Sequence, residues 1–300
     1  MPSENMYVCT LTAEQSAQLK ELLVSKDWEF DVIPYSRWRA KYGKVSAISY
    51  LSGKFTVQGS GTGDFVRNIL EPEILKKITF GYETEIAQIE NPQMFEPHAG
   101  IDESGKGDFF GPLVVACVYT DGNTAKALMK AGVADSKTIK SETKINQLAA
   151  LIRKECAGQY SFVVLRPETY NRLYSSMGNL NRLLAWGHAK SLENLLEMVP
   201  TCPRAISDQF AASPMTLLKA LQERGRKIKF EQHPRAEADV AVAAASILAR
   251  AEFVRILKYL GEEVGVVLPK GGGPAVKAMA EKLRKEKKEM AKISKLHFKI

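Results

Sequence analysis

The stretch Ile101-Asp102-Glu103-Ser104-Gly105-Lys106-Gly107-Asp108-Phe109-Phe110-Gly111-Pro112 decides how this chain is read. It sets two adjacent carboxylates and a glycine-bracketed lysine between two strands. Ala99-Gly100-Ile101 leads into the first, and residues 111–119 form the second, continuously apolar as if covered on both faces of a sheet. Neighbouring strand side chains point to opposite faces, so for both acids to serve one site the backbone has to bend after Asp102. Gly105 and Gly107 supply that freedom. Two unit charges 4 Å apart repel by roughly 4 kcal/mol at an effective dielectric of 20. A divalent cation reverses that sign, and hard oxygen donors suit Mg2+ or Mn2+. A turn with a helix cap, or a surface ion pair, uses the same residue types.

Further acids stand in comparable surroundings. Asp208 ends the strand-like run Arg204-Ala205-Ile206-Ser207, and Glu237 and Asp239 precede the alanine-rich helix expected over residues 241–260. Three or four converging carboxylates make a two-metal constellation, in which ions ~3.5–4 Å apart activate water and stabilise the leaving oxygen of a phosphodiester. Taken singly, an acid at a helix start is as readily a cap. Gly105-Lys106-Gly107 is not a phosphate-cradling P-loop, which needs Gly-x-x-x-x-Gly-Lys-Ser/Thr. Close-set glycines do let backbone amides approach a sugar, and the 2′-hydroxyl is the group that distinguishes RNA from DNA.

Around this centre, strands at residues 161–165, 204–208 and 227–232 alternate with helices at 125–131, 141–157, 179–198 and 241–260, the pattern of an α/β layer fold. Residues 281–300, with eight Lys or Arg against three Glu, read as a helix with a solvated face, and the same charges also suit a course along a phosphate backbone. The first part reads as a small α+β unit, with strands at 7–10, 44–50 and 54–59 and helices at 12–25 and 63–70. Asn91-Pro92 and Glu96-Pro97 break regular structure between the two parts. The expected division is 1–85, a linker over 86–98, and 99–300.

The chain has 300 residues, 45% of them hydrophobic, and 42 Lys plus Arg against 34 Asp plus Glu, a net charge of +8. That balance favours encounter with polyanions. Cys9, Cys117, Cys156 and Cys202 form no Cys-x-x-Cys pair, which speaks against a zinc module or disulfide framework and for reduced thiols in a cytoplasm. The N-terminus lacks the pattern of an export signal, and no apolar run approaches the ~20 residues a spanning helix needs. A soluble cytoplasmic protein, monomeric by default and without a membrane, is expected.

Asp102-Glu103-Ser104-Gly105-Lys106-Gly107-Asp108, Asp135-Ser136-Lys137, Ser207-Asp208-Gln209-Phe210, Arg235-Ala236-Glu237, Ala243-Ala244-Ala245-Ser246-Ile247, Leu268-Pro269-Lys270-Gly271 and Lys295-Leu296-His297-Phe298 together resemble the ordered motif series of bacterial ribonuclease HIII, a type 2 ribonuclease H. The resemblance implies an α/β, RNase H-like catalytic domain with a central mixed β-sheet flanked by helices. It also implies endonucleolytic cleavage of the RNA strand of RNA–DNA hybrids, leaving 5′-phosphate and 3′-hydroxyl ends. Its Asp-Glu-Asp-Glu metal site, for Mg2+ or Mn2+ and two ions, maps to Asp102, Glu103, Asp208 and Glu237. The spacer from Glu237 to Ser246 is one residue shorter than in the family, which keeps Asp239 as a rival fourth ligand. Ser104, Gly105, Lys106 and Gly107 match the loop that senses 2′-hydroxyls, and Lys137 is a phosphate contact.

The N-terminal unit resembles the family's substrate-binding domain, similar in fold to half of TATA-binding protein. Tyr35-Ser36-Arg37-Trp38-Arg39-Ala40-Lys41-Tyr42-Gly43-Lys44 interleaves aromatics with cations, as a surface that stacks on bases and neutralises phosphates does. Arg37, Lys44 and Lys54 are its nucleic-acid contacts on this reading, and a half-buried strand with snorkelling cations is the alternative. Two other activities stay open: ribonuclease HII-type incision at a single ribonucleotide in DNA, and nucleic-acid binding without catalysis.

Overall fold

A computed structural model describes residues 5–134, 136–139, 141–210 and 213–300. The chain divides into two compact units, residues 1–91 and 92–300.

In the first unit β1 (Met6–Thr10), β2 (Glu29–Asp31), β3 (Ser36–Tyr42), β4 (Val45–Tyr50) and β5 (Lys54–Gln58) form an antiparallel sheet in the order β1-β5-β4-β3-β2. One face is covered by α1 (Ala13–Val24) and by α2 (Thr62–Phe65), which continues as a wider-wound helix over Val66–Leu75. Leu19, Leu23, Val66 and Leu70 from the helices bury against Trp38, Ala40, Ala47, Phe55 and Val57. Period-two alternation therefore turns the Trp38 ring of the aromatic–cation stretch inward, its Nε1 donating to Ser16 Oγ, and leaves Arg37 exposed. Lys44 and Lys54 are exposed as well.

The stretch expected as a linker is not irregular: α3 spans Glu83–Glu90 and a 3-10 turn spans Pro92–Phe95, so the break itself falls between Asn91 and Pro92.

The second unit holds a mixed sheet in the order β10-β9-β6-β7-β8, built from β6 (His98–Ser104), β7 (Leu113–Thr120), β8 (Tyr160–Leu165), β9 (Arg204–Asp208) and β10 (Lys229–His233). β6 runs parallel to β9 and antiparallel to β7. The remaining helices are α4 (Gly122–Lys130), α5 (Glu142–Glu155), α6 (Pro167–Met177), α7 (Leu180–Met198), α8 (Met215–Leu218), α9 (Val240–Val264), α10 (Pro274–Lys285) and α11 (Met290–Ile293). α10 stops at Lys285, α11 is one turn, and the chain after it packs inward through the fully buried Lys295. The expected solvated helix over residues 281–300 is corrected accordingly.

α7 and α9 take opposite faces of this sheet. Odd-numbered Ala99, Ile101, Leu113, Val115 and Cys117 bury with Leu184, Ala185, Leu192 and Leu195 of α7. Even-numbered positions of β6 meet α9 in sequence: His98 touches Asp239, Gly100 lies against Ala241 and Val242, and Asp102 accepts from Ser246. A Cβ on Gly100 would fall 2.2 Å from the Ala241 carbonyl carbon, so only glycine admits α9 at this distance. The small side chain of Ala241 serves the same close approach from the helix side, in an α9 whose Ala243, Ala244, Ala245 and Ala249 are also buried. The sheet thus becomes a thin plate whose strand ends carry the acids.

Candidate active site

β6 stays in register with β7 through Ser104, so the bend expected after Asp102 is absent, and Asp102 and Glu103 leave opposite faces of a regular strand. They reach a common space because the strand ends there and the chain turns at Gly105. That residue has φ of +90°, and a Cβ on it would lie 2.2 Å from Pro112 O. In the β6–β9 pair Ile101 aligns with Ser207, so Asp102 and Asp208, the next residues, sit side by side at neighbouring strand ends, where strands run about 4.8 Å apart.

Asp102, Glu103 and Asp208 line one cavity of about 390 Å3 together with Gly105, Lys106, Gly107, Asp108, Lys137, Ser246, Arg250 and Lys270. Lys137 is exposed, and Lys270 pairs with Glu142. Ser104 also lines the cavity, whereas Asp135 lies outside the described residues.

The two adjacent acids differ in their surroundings. Asp102 is 8% exposed and accepts from the Glu103 backbone N–H at 2.8 Å. Burial, reinforced by the neighbouring Glu103 charge, pushes its carboxyl well up from the usual carboxylate range. Burial pushes Glu103 the same way, but the His188 ring, with Nε2 at 2.9 Å from Oε2, and Lys106, with Nζ at 3.0 Å from Oε1, outweigh it and set the carboxyl below that range. The pair is held with one charge balanced and one opposed.

Glu237, half-buried in a 3-10 turn (Ala236–Ala238), follows Ala236, whose N–H points at Asp208 Oδ1 from 3.5 Å. Asp239 is engaged differently. Its Oδ1 caps α9, accepting from Ala241 N at 2.9 Å and Val242 N at 3.3 Å, and both oxygens lie 3.0 Å from His98 Nε2. Among the described residues no three His, Cys, Asp or Glu side chains are yet gathered tightly enough to grip an ion. The donor chemistry nevertheless fits a hard divalent cation: all-oxygen, acidic, and including a buried carboxylate whose charge the protein itself opposes.

The glycine loop is held from beneath. Phe109 N donates to Gly271 O at 2.9 Å, and Gly271 N donates to Asp108 Oδ1 at 2.6 Å. Lys295 Nζ donates to Asp108 O and Gly111 O, each at 2.8 Å. Gly107, by contrast, has nothing within 4 Å of where a Cβ would stand, so its outer side faces open space. His297 packs among the rings of Tyr170, Tyr174 and Phe298.

Sequence reasoning passed over His188 and the buried role of Lys295. His188 sits in a helix, Leu183 to Leu196, that also carries Lys190, Ser191, Glu193 and Asn194, so the sequence does not single it out. Lys295 hides in a strongly basic segment, and nothing in the sequence separates it from its solvated neighbours.

A mixed five-stranded sheet between helices, with acids at the ends of adjacent strands, defines the RNase H-like nuclease class. The model of the family described as Ribonuclease HII matches residues 99–300, and the chain belongs to that family, in its ribonuclease HIII branch. Ribonuclease HIII of Chlamydia pneumoniae is 45% identical, covering 98% of this chain and 96% of its own. The Protochlamydia amoebophila ribonuclease HIII is 42% identical over 100% of this chain and 96% of its own. Among solved structures, Bst-RNase HIII in complex with Mn2+ superposes with a TM-score of 0.63 at 28% identity, covering 98% of this chain and 96% of that one.

Among the described residues no helix is long and apolar enough to cross a membrane.

Proposed function

We propose that this chain hydrolyses the RNA strand of RNA–DNA hybrids, with Asp102, Glu103, Asp208 and Glu237 holding Mg2+ or Mn2+, two ions in the productive state. The observation that carries the reading is the register of β6 on β9, which sets Asp102 and Asp208 side by side in a cavity that also contains the Gly105-Lys106-Gly107 loop. Solved Bst-RNase HIII with Mn2+ supports a divalent cation. Bound there, the ions supply an activated water and charge stabilisation for the leaving 3′ oxygen.

The chain's own groups do the rest. Asp102, buried on β6 beside Asp208 of β9, would be the central ligand of such ions. Glu103 enters with its outer oxygen already facing a cation, Lys106. Open space beside Gly107 admits a ribose edge to backbone amides, which is how a 2′-hydroxyl is read. Lys106, Lys137 and Arg250 line the same cavity and neutralise phosphates along the scissile strand. Asp239 is left out of the ligand set because a helix cap and a buried histidine already engage its oxygens. In the N-terminal unit, a substrate-binding domain of TATA-binding-protein type on this reading, Arg37, Lys44 and Lys54 contact the duplex.

The test is cleavage of a uniform RNA–DNA hybrid and of a duplex with one embedded ribonucleotide, each with Mg2+, Mn2+ or chelator. Metal-dependent cutting of the hybrid is expected. Preferred incision at the lone ribonucleotide would move the reading to the ribonuclease HII type, and chelator-insensitive binding without cutting would move it to a non-catalytic binder.

A further inference from the structure

We infer that His188, which touches no substrate and no ion, is the positioning residue that fixes Glu103 and couples it to the strand end carrying Asp208, so that the cation affinity of the site depends on this buried ring. The inference rests on the metal-site reading given above.

His188 is fully buried within the apolar face of α7, between Leu184 and Leu192. A buried imidazole is costly unless both nitrogens are satisfied. Here both partners adjoin proposed ligands. Nε2 lies 2.9 Å from Glu103 Oε2, and Nδ1 lies 3.0 Å from Ser207 Oγ. The Ser207 hydroxyl is in turn 3.0 Å from the backbone oxygen of Asp208. The ring therefore spans from one β6 acid to the residue preceding the β9 acid, beneath the sheet and on the face opposite Asp102.

The local packing is shaped to hold it there. Gly187 sits over β7, where a Cβ would stand 3.0 Å from Val115 Cγ2, so the absent side chain lets α7 settle close to the strand beside His188. Phe210, just past Asp208, packs its ring 4.9 Å from the imidazole. Glu103 is thus claimed asymmetrically: a fixed, buried partner holds one oxygen, while Lys106, with 43% of its side chain exposed, holds the other and can yield it to a cation. Partners of this kind behind a ligating carboxylate set its orientation, and their loss typically costs 10- to 100-fold in metal affinity.

The experiment measures Mn2+ binding calorimetrically on the full chain without nucleic acid, beside urea unfolding in chelator. His188→Leu is expected to weaken Mn2+ binding by about tenfold or more, and His188→Gln, which can still donate toward Glu103, to recover most of the loss. Combining His188→Leu with Glu103→Gln should weaken binding no further than Glu103→Gln alone, because the ring acts through that carboxylate. A purely structural role would lower the unfolding midpoint and leave affinity unmoved. Should His188→Leu fail to fold, His188→Gln and Ser207→Ala carry the comparison, with Ser207→Ala expected to lower affinity several-fold. Parent-like Mn2+ affinity in folded His188→Leu, or in Ser207→Ala where His188→Leu does not fold, overturns the inference alone, whereas a parent chain that binds no Mn2+ overturns the metal-site reading with it.

Discussion

Asp239 and His98 lie across the β6–α9 boundary with His98 Nε2 3.0 Å from both carboxylate oxygens, and the same acid caps α9. Asp239→Ala removes the cap and strands the ring, so the unfolding free energy should fall by about 1–3 kcal/mol, while Mn2+ affinity of the folded protein stays near the parent's. Glu237→Gln should do the reverse: unfolding in chelator is unchanged and hybrid cleavage collapses. Exchange of those two outcomes would make Asp239 the fourth ligand.

Asp102→Asn keeps the shape and removes the charge. Hybrid cleavage should drop on the order of 10^3-fold or more, about 4 kcal/mol in barrier, with hybrid binding retained. In chelator the variant should resist urea at least as well as the parent, since burial and Glu103 both oppose the Asp102 charge. Single-turnover cleavage and urea titration on the same preparation read both numbers.

The loop glycines should separate by role. Gly105→Ala meets a positive φ and the Pro112 carbonyl together, so destabilisation of about 1–3 kcal/mol is expected. Gly107→Ala meets nothing within the protein and should leave the unfolding midpoint unchanged. If the loop approaches the ribose, Gly107→Ala raises KM on hybrid while sparing fold. An unchanged KM would remove Gly107 from the sugar contact.

Lys295 predicts a pH dependence of stability. Burial lowers its pKa from 10.5 to about 7, with Asp108 opposing. Below pH 7 the ammonium is charged in both states and its full burial penalty is present. Between about 7 and 10.5 the unfolded chain binds more protons than the folded one, so stability rises with pH across that window. Urea unfolding of the parent relative to Lys295→Met, at pH 6 through 9.5, should show the parent gaining above pH 7. A flat difference would mean that the amine keeps its charge inside the fold.

Much of this was legible in the sequence where one local rule dominates. The apolar run of β7, the acid-tipped strand at Asp208 and the alanine-rich α9 were readable from pattern alone, and all three position the site. The strand Ser36–Tyr42 was harder, because Arg37, Arg39 and Lys41 alternate with Trp38 and Ala40, and either a binding surface or a half-buried strand gives that text. α3 was missed under its Asn91-Pro92 terminator. The bend after Asp102 failed as an expectation because strand termination makes it unnecessary. The ties of His188 to Glu103 and of Lys295 to the glycine loop depend on partners 85 and 184 residues away or more, which no local pattern encodes.

Gly100 carries a mechanical consequence. With no space for even a methyl group between β6 and the start of α9, those two elements cannot slide or part without breaking the packing of both. Of the loop that follows β6, Gly107 is the position with open space beside it and so the least confined. Amide hydrogens at Ile101 and Val242 should exchange only through global unfolding, while those of the glycine loop exchange through local excursions.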